Sequence, residues 1–357
     1  FSNTHLNAWA KLTLRTRDWE TDKKIRRQTW EFSGGKRVSQ FNKESQVLPL
    51  NNAINTLFWG DNFMKIYENY FASLGFSKRY ESGFRFAVHV LYEDRIPLDN
   101  SSTFTIFKVD SGRITPNYPV ERIPAQFTPN QALVLSIDMS FRPGQRYIQY
   151  PNRKMSLGSK YPTFSLNYTR GIKNILGSDA NFDKWRFSVA DGVNLKLAGT
   201  FRYKLGIGGF LNARTVHIQD FQHFNGNRST AASEYVNSYQ LAPYYLNSST
   251  EPFFAFGHIE HHFNGFLTNK IPLFKRLNWN LVAGTNAYYV NRSSYFAEGF
   301  VGLENILKIF RVDYVMGYSN NKAISGEIRI GTGGLLGNSV RANAQPRRRN
   351  GGLSIGL

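Results

Sequence analysis

Apolar and polar residues alternate along much of this chain. In residues 131–142 (QALVLSIDMSFR), every second residue is large and apolar, and most residues between them are small or polar. Residues 84–92 and 310–319 repeat the pattern. Successive side chains of a β-strand point to opposite faces of a sheet, so a period of two predicts strands with one apolar face. The same pattern predicts further strands over 5–17, 161–170, 184–190, 277–290 and 324–331.

The stretch 192–206 (GVNLKLAGTFRYKLG) carries the longest alternation, over thirteen residues. It predicts a single strand about twice as long as the five or six residues usual in globular proteins. A strand of about nine to eleven residues, tilted by roughly 45°, is what a bilayer requires. We therefore expect the apolar face to meet lipid, and Lys196, Arg202 and Lys204 on the other face to line a wet lumen.

One segment, 53–74, departs from the period of two. Its large apolar residues follow the i, i+3, i+4 spacing of a helix and are Phe63, Ile66, Tyr67, Tyr70, Phe71 and Leu74. The spacing favours one short helix near 53–74, packed on or beside the sheet. The alternative is a strand over 64–80 whose alternation is masked by large residues.

Tight turns alternate with long polar connections, such as 96–130 and 218–238. Nothing in the sequence approaches the ~18 consecutive apolar residues of a membrane-spanning helix. Short turns on one side and long loops on the other are typical of membrane barrels. The fold class predicted is all-β: an antiparallel transmembrane β-barrel of about 14–16 strands. A soluble β-sandwich is the alternative.

Aromatic residues near the predicted strand ends suit the girdles of such a barrel at the two lipid–water boundaries. The candidates are Trp185, Tyr203, Trp279, Tyr289, Tyr314 and Tyr318. Aromatic residues also favour strands in any β protein, so the girdle is a hypothesis that the strand positions must test.

The composition of the chain limits the classes of partner that we expect it to bind. The 44 Lys and Arg against 25 Asp and Glu give a formal charge of +19, but the basic residues are spread along the alternating segments. That distribution favours anionic outer-membrane lipid and lipopolysaccharide, and other outer-membrane proteins, as partners, and argues against nucleic acid. The chain has no cysteine, which excludes disulfides and thiolate sites.

Candidate chemistry is sparse. On a strand, His258, Glu260 and His262 would share one face, and two imidazoles with a carboxylate could bind zinc if a neighbouring strand added a ligand. Hydrogen bonding within a polar lumen is the alternative that we favour. Asp220 lies close to His223, but the sequence places no nucleophile beside them. We predict no catalytic residue, no metal ligand and no cofactor.

Several segments resemble one family of uncharacterised outer-membrane proteins of Bacteroidota, in the same order from about Phe1 to about Ser319. They are GSKYPTFSLNYTRGI (158–172), HFNGN (223–227), GHIEHHFNGFLTNKIPLFKRL (257–277), FAEGFVGLENI (296–306) and FRVDYV (310–315). The resemblance implies a C-terminal β-barrel. Full-length members carry a carboxypeptidase-regulatory-like N-terminal domain, so we expect 1–357 to be a single barrel domain from a longer chain.

A weaker similarity links Gly302–Asn305 and Phe310–Tyr314 to the closing strands of BamA-type assembly barrels, and Phe263–Phe266 to the motif that such barrels fold into their lumen. Together these patterns predict an integral, non-enzymatic protein of a Gram-negative outer membrane. Its role would be structural or in transport, or as a subunit of an assembly or export complex. A barrel-type surface hydrolase and a soluble β-sandwich binding module are the alternatives.

Overall fold

The computed structural model of this chain describes residues 6–17, 27–44, 47–101, 104–107, 114–150, 153–319, 322–332 and 352–356. These ranges are almost entirely β. The strands are β1 (Trp9–Arg17), β2 (Arg27–Gln40), β3 (Ile66–Arg79), β4 (Phe84–Pro97), β5 (Asn130–Phe141), β6 (Arg146–Tyr150), β7 (Arg153–Gly158), β8 (Thr163–Gly171), β9 (Asn181–Asn194), β10 (Thr200–Thr215), β11 (Phe254–His262), β12 (Asn280–Asn291), β13 (Ser294–Ile306), β14 (Phe310–Ser319), β15 (Lys322–Thr332) and β16 (Gly352–Gly356). The helices are α1 (Pro49–Trp59) and α2 (Pro272–Leu277), besides three single 3-10 turns.

Fourteen strands form one sheet in the order β15-β14-β13-β12-β11-β10-β9-β8-β5-β4-β3-β2-β1-β16, and every neighbouring pair is antiparallel. Strands β6 and β7 form a separate hairpin. The pairing of β16 with β1 joins the end of the described chain to its beginning, so the two outer strands, β15 and β16, are consecutive in sequence. This is the up-and-down order of a barrel, although the described residues include no ladder between β15 and β16.

Connections differ at the two ends of the sheet. Turns and hairpins at one end, called here the hairpin end, are 80–83, 142–162, 195–199, 263–279 and 307–309. The connections at the opposite end, the loop end, are 41–65, 98–129, 172–180, 216–253 and 292–293. The two long polar connections predicted from the sequence both lie at the loop end.

Burial is inverted relative to a soluble protein. Large apolar side chains on one face are exposed, as with Leu12 at 40% and Ile328 at 58%, whereas Glu93 and Asp313 on the other face are fully buried. In a soluble sandwich the apolar face would be covered by a second sheet. An exposed apolar face with a buried charged face is instead the arrangement of a sheet that meets lipid outside and encloses a polar lumen.

The apolar band is nearly as tall as the band of a typical outer-membrane barrel. On β2 the outward positions between Lys36 and Gln28 are Gly34, Phe32 and Trp30, and Lys36 marks one border through an outer-face ion pair of 2.5 Å with Glu68. Eight residues at about 3.4 Å each, tilted by roughly 40°, rise about 21 Å. Bands of roughly 25 Å are usual for outer-membrane barrels. No helix in the described ranges is long and apolar enough to span a bilayer.

The predicted long strand over 192–206 is wrong: the chain reverses there. Strand β9 ends at Asn194, β10 begins at Thr200, and Leu195 N–H donates to Gly199 O at 2.8 Å across the turn. Gly199 has φ +100°, and a Cβ there would lie 1.9 Å from the carbonyl oxygen of His262. Lys196, with φ 57°, lies in this turn rather than in the lumen, whereas Arg202 and Lys204 do point inward.

The predicted helix near 53–74 is displaced. Helix α1 occupies 49–59, and all the residues whose spacing suggested a helix except Phe63 lie in β3, which confirms the alternative strand over 64–80. Of the predicted girdle residues, Trp185, Tyr289 and Tyr318 lie towards the loop end of their strands. Tyr314 does not belong to a girdle, because it lies at mid-height on β14.

Candidate functional site: the luminal segment and its walls

The connection between β10 and β11 fills the lumen. Residues 218–249, called here the luminal segment, contribute many of the buried side chains of the chain: Ile218, Gln219, Asp220, Gln222, His223, Phe224, Asn227, Ser229, Tyr235, Val236, Ser238, Tyr239, Gln240, Leu241, Ala242, Tyr245, Asn247, Ser248 and Ser249. One bridge, between Gln222 and Ser249, joins the two ends of the segment, and inward side chains of the wall hold it in place. The candidate functional site is therefore this segment together with the inward side chains that hold it.

On the β3–β4 side, the wall holds the segment through charge. Arg95 donates from both terminal nitrogens to the carboxylate of Asp220, at 2.6 and 2.8 Å, and from Nε to Glu93 at 3.1 Å. Glu93 also accepts from Lys43 at 2.6 Å and Arg37 at 3.1 Å. A bidentate guanidinium–carboxylate pair fixes both distance and orientation. Arg95 thus ties residue 220 to the wall.

The electrostatics of Asp220 follow from this pair. Burial raises the pKa of the Asp220 carboxyl, but the Arg95 guanidinium more than offsets that effect, so the pKa lies below its ordinary value. Asp220 therefore remains ionised at neutral pH and remains a partner for Arg95.

On the β13–β15 side, wall side chains hold the backbone of the segment. The carboxylate of Glu298 accepts from Gln240 N–H at 2.7 Å and from Leu241 N–H at 2.9 Å. Arg329 donates from Nε and Nη2 to the carbonyl oxygen of Gln240, at 3.0 and 2.8 Å. Asn286 donates to Glu298 at 2.8 Å and completes its shell. A buried backbone turn is thus satisfied by side chains of three strands.

A second ion-pair network joins β11 and β14 to the luminal segment. Arg311 donates to Glu260 and Asp313, and its guanidinium lies 4.1 Å above the ring of Tyr235, whose hydroxyl donates to Asp313 at 2.8 Å. Gly302, on the neighbouring strand, leaves room for this carboxylate, because a Cβ there would lie 2.0 Å from Asp313 Oδ1.

Aromatic rings of the luminal segment also pack against rings of β12 and β13. Phe224 stacks on Tyr288 with centroids 4.1 Å apart, and Tyr239 contacts Tyr288 and Phe296 edge-on at 4.8 and 5.8 Å. These rings belong to a buried apolar cluster inside the lumen. The luminal segment and the wall therefore share a small apolar core, so the segment is packed against the wall as well as tethered to it.

The segment also reaches the edge of the sheet at β15. Ala232 N–H donates to Ile330 O at 2.8 Å, and Ile330 N–H donates to Thr230 O at 3.0 Å. This short parallel bridge lies on the edge of β15 opposite β14. Backbone groups of the luminal segment thus pair with the strand at the seam of the sheet.

The predicted chemistry candidates are engaged in this network. His258, Glu260 and His262 do share the inward face of β11, where His258 Nδ1 lies 3.1 Å from Asn286 Oδ1 and His262 bridges Glu260 and Glu304 at 3.1 and 3.0 Å. Within the described ranges, no group of three or more His, Asp or Glu side chains is arranged to hold a metal ion.

Asp220 and His223 have different hydrogen-bond partners. Both oxygens of Asp220 are taken by Arg95, while His223 Nδ1 lies 2.8 Å from the hydroxyl of Ser248, a neighbour that the sequence did not indicate. Burial, followed by the Lys184 ammonium, lowers the pKa of His223 to about 3. The His223 imidazole is therefore neutral at pH 7, and it is buried against the hydroxyl of Ser248.

Sequence reasoning missed the residues that anchor the segment, chiefly Glu93, Arg95, Tyr235, Gln240 and Glu298. A usable signal was present, because Glu93, Arg95 and Glu298 occupy inward positions of alternating strands where a soluble protein would carry apolar residues. The predicted luminal motif at Phe263–Phe266 is wrong: those residues form a turn at the hairpin end, with Phe266 exposed.

Comparison with known proteins agrees with the resemblance seen in the sequence. Residues 1–303 match the C-terminal domain of a family of unknown function, DUF5686. The chain belongs to this family. A search of curated proteins found no match.

Two solved structures are similar at low identity. One is BamA from Haemophilus ducreyi lacking POTRA domains 1–3, with 8% identity, a TM-score of 0.46, and coverage of 92% of this chain and 62% of that one. The other is CdiB from Acinetobacter baumannii, with 9% identity, a TM-score of 0.40, and coverage of 89% and 47%. This chain therefore spans less than two thirds of the length of either structure.

Proposed function

We propose that residues 1–357 form one integral outer-membrane β-barrel domain whose lumen is closed by its own luminal segment. The observation that carries this proposal is the inverted burial. Ile328 and Leu12 are exposed on the outer face, whereas Arg95, Glu93 and Asp313 are buried inside. Exposed apolar bands of this size are costly in water and favourable in lipid.

The role that fits this architecture is non-enzymatic: a structural or transport component, or a subunit of an outer-membrane assembly or export complex. The luminal segment supports it, because a packed segment held by wall side chains can block passage and can be released when those side chains let go of it. The formal charge of +19 favours anionic outer-membrane lipid, lipopolysaccharide and other outer-membrane proteins as partners, and not nucleic acid.

Membrane fractionation combined with electrophoresis of unheated and heated samples tests the proposal. We expect the protein in the outer-membrane fraction, extracted only by detergent, with a faster-migrating folded form that disappears on boiling. Recovery in the buffer-soluble fraction, or a single band that heating does not move, would contradict it. The variant Ile328→Lys tests the lipid face directly. It places a charge on that face and should reduce the intensity of the folded band, because lysine at mid-bilayer costs roughly 2–4 kcal/mol.

A further inference from the structure

Helix α1 exposes its apolar face and buries a polar residue. Its apolar residues Leu50, Ile54 and Leu57 recur at helical spacing, and their side chains are 71%, 42% and 39% exposed. The buried residue of the helix is Asn52. A surface helix of a soluble protein buries its apolar stripe and exposes its polar one. Helix α1 does the opposite, as the barrel sheet does.

Specific hydrogen bonds fix this orientation. Asn52 Nδ2 donates to Asn62 Oδ1 at 2.9 Å, and Asn52 Oδ1 accepts from the backbone N–H groups of Phe63 and Met64, both at 2.8 Å. Rolling the helix to bury its apolar stripe would break all three bonds in a buried site. The exposed stripe is therefore a built feature of the loop end.

The patch extends beyond the helix. Ile106 N–H donates to Leu57 O at 2.7 Å and Phe107 N–H donates to Phe58 O at 3.3 Å, which docks residues 104–107 beside the helix. Phe104, Ile106 and Phe107 are 66%, 48% and 55% exposed. With Trp59, these residues form one contiguous apolar surface, the kind that marks a contact with a partner or with lipid.

This surface lies next to the apolar band of the sheet, because Ile66 is two residues beyond Glu68, which belongs to the ion pair at the border of the band. Leu57 of the helix and Ile66 at the start of β3 line one groove of about 590 Å³. Tyr67 and Asn69 point into the lumen towards Glu93, so Ile66 points outward by alternation. Helix α1 (PLNNAINTLFW) also contains no charged residue. Its apolar stripe, its Trp59 and its position beside the border of the band suit the interfacial layer of a bilayer.

We propose that α1 and residues 104–107 insert into the lipid–water interface of the membrane that the barrel spans, as an in-plane anchor at the loop end. The inference rests on the proposed function, because it needs the barrel to be in a bilayer. It adds a lipid contact that the strands themselves do not provide, and it fixes how deep the loop end lies.

Site-specific fluorescence tests this anchor, and the cysteine-free chain gives no background labelling. Ile54→Cys and Leu57→Cys are labelled with an environment-sensitive fluorophore after the barrel is reconstituted into phosphatidylcholine vesicles. Ser293→Cys, in an exposed turn at the same end, is the water-facing control, and Val301→Cys, on the outer face of β13, is the lipid-facing control. Each variant must retain the heat-modifiable folded band.

We expect blue-shifted emission at positions 54 and 57, and quenching by lipids with a nitroxide near the headgroup that is several-fold stronger than at position 293. If the labels at 54 and 57 behave like position 293 while position 301 is quenched, the anchor is wrong and the barrel stands. If position 301 also escapes quenching, the proposed function itself fails. Labels at 54 and 57 that are shielded from both lipid nitroxide and aqueous iodide would show a protein partner there, and would equally overturn the anchor.

Discussion

The luminal segment is held by two different means on the two sides of the lumen. Towards β3 and β4, the contact joins side chain to side chain, through the bidentate pair of Arg95 and Asp220. Towards β13 and β15, wall side chains bind backbone, with Glu298 accepting from the Gln240 amide and Arg329 donating to the Gln240 carbonyl. The first attachment depends on one luminal carboxylate. The hydrogen bonds of Glu298 and Arg329 to residue 240 depend on the path of the backbone and not on the side chain of that residue.

This difference determines which substitutions each attachment tolerates. A backbone attachment tolerates many luminal side chains but needs the wall residues, whereas the ion pair needs both partners. We therefore expect the segment to release in two independent parts, 218–223 and 239–242, when wall residues are changed one side at a time. Amide hydrogen exchange of these two parts, measured on the folded barrel, distinguishes them.

The largest effect is expected from Arg95→Met. This change leaves the buried carboxylate of Asp220 without its cation, and breaking a buried pair in this way costs about 3–5 kcal/mol. Exchange should accelerate strongly over 218–223 and the urea midpoint of the folded band should fall, with little change over 239–242. Arg85→Met, an exposed arginine on the same strand, is the control.

A double variant sharpens this first prediction. Arg95→Met combined with Asp220→Asn removes the uncompensated carboxylate, so part of the lost stability should return, while Glu93 retains Lys43 and Arg37. Equal losses in the single and double variants would mean that packing of the arginine stem, rather than its charge, holds this side.

Glu298→Gln should have the next largest effect. The carboxylate accepts two backbone N–H groups and one amide, and an amide in its place offers one acceptor fewer and brings a donor to face donors. Hydrogen bonds to a charged group contribute about 1.5–3 kcal/mol. Exchange should accelerate over 239–242 and remain unchanged over 218–223, the reverse of Arg95→Met. If both parts respond to either variant, the segment docks as one unit.

Acidification should loosen the ion-paired part. The pKa of His223 in the folded protein is about 3, below its ordinary 6.5. The stability that the neutral His223 contributes is therefore fully present above about pH 6.5 and falls as the pH drops towards 3. The reason is that His223 is protonated in the released segment at a higher pH than in the docked segment. The loss is about 1.4 kcal/mol per pH unit, or roughly 2 kcal/mol at pH 5. Exchange over 218–223 at pH 7 and pH 5, corrected for intrinsic rates, measures it. In His223→Gln the corrected difference should shrink.

The sequence predicted the strands and their faces well, because alternation is a local property. It was wrong over 192–206 for a geometric reason: Val193 pairs with Phe201 across the hairpin, and their numbers differ by an even count. Residues of the same parity therefore remain on the same face through the reversal, so alternation alone cannot reveal the turn.

The luminal attachments were beyond the reach of such patterns. Arg95 and Asp220 are 125 residues apart, and Gln240 is held by Glu298, 58 residues away. No periodicity joins positions that meet only because a connection folds back into the lumen. A better sequence-level signal is the charged residue at an inward strand position, which requires a buried partner somewhere in the chain.

The smallest effect is expected where the backbone attachment reaches the edge of the sheet. Ala232→Pro removes the N–H that donates to Ile330 O, and a backbone bond of this kind contributes about 1 kcal/mol net. Because Ile330 N–H donates in turn to Thr230 O, its exchange should accelerate as the bridge loosens. Ala232→Ser retains the N–H and is the matched control. If Ile330 keeps its protection in Ala232→Pro, something other than residues 230–232 covers this edge of β15. The backbone attachment would then end at Gln240, and the seam would be independent of the luminal segment.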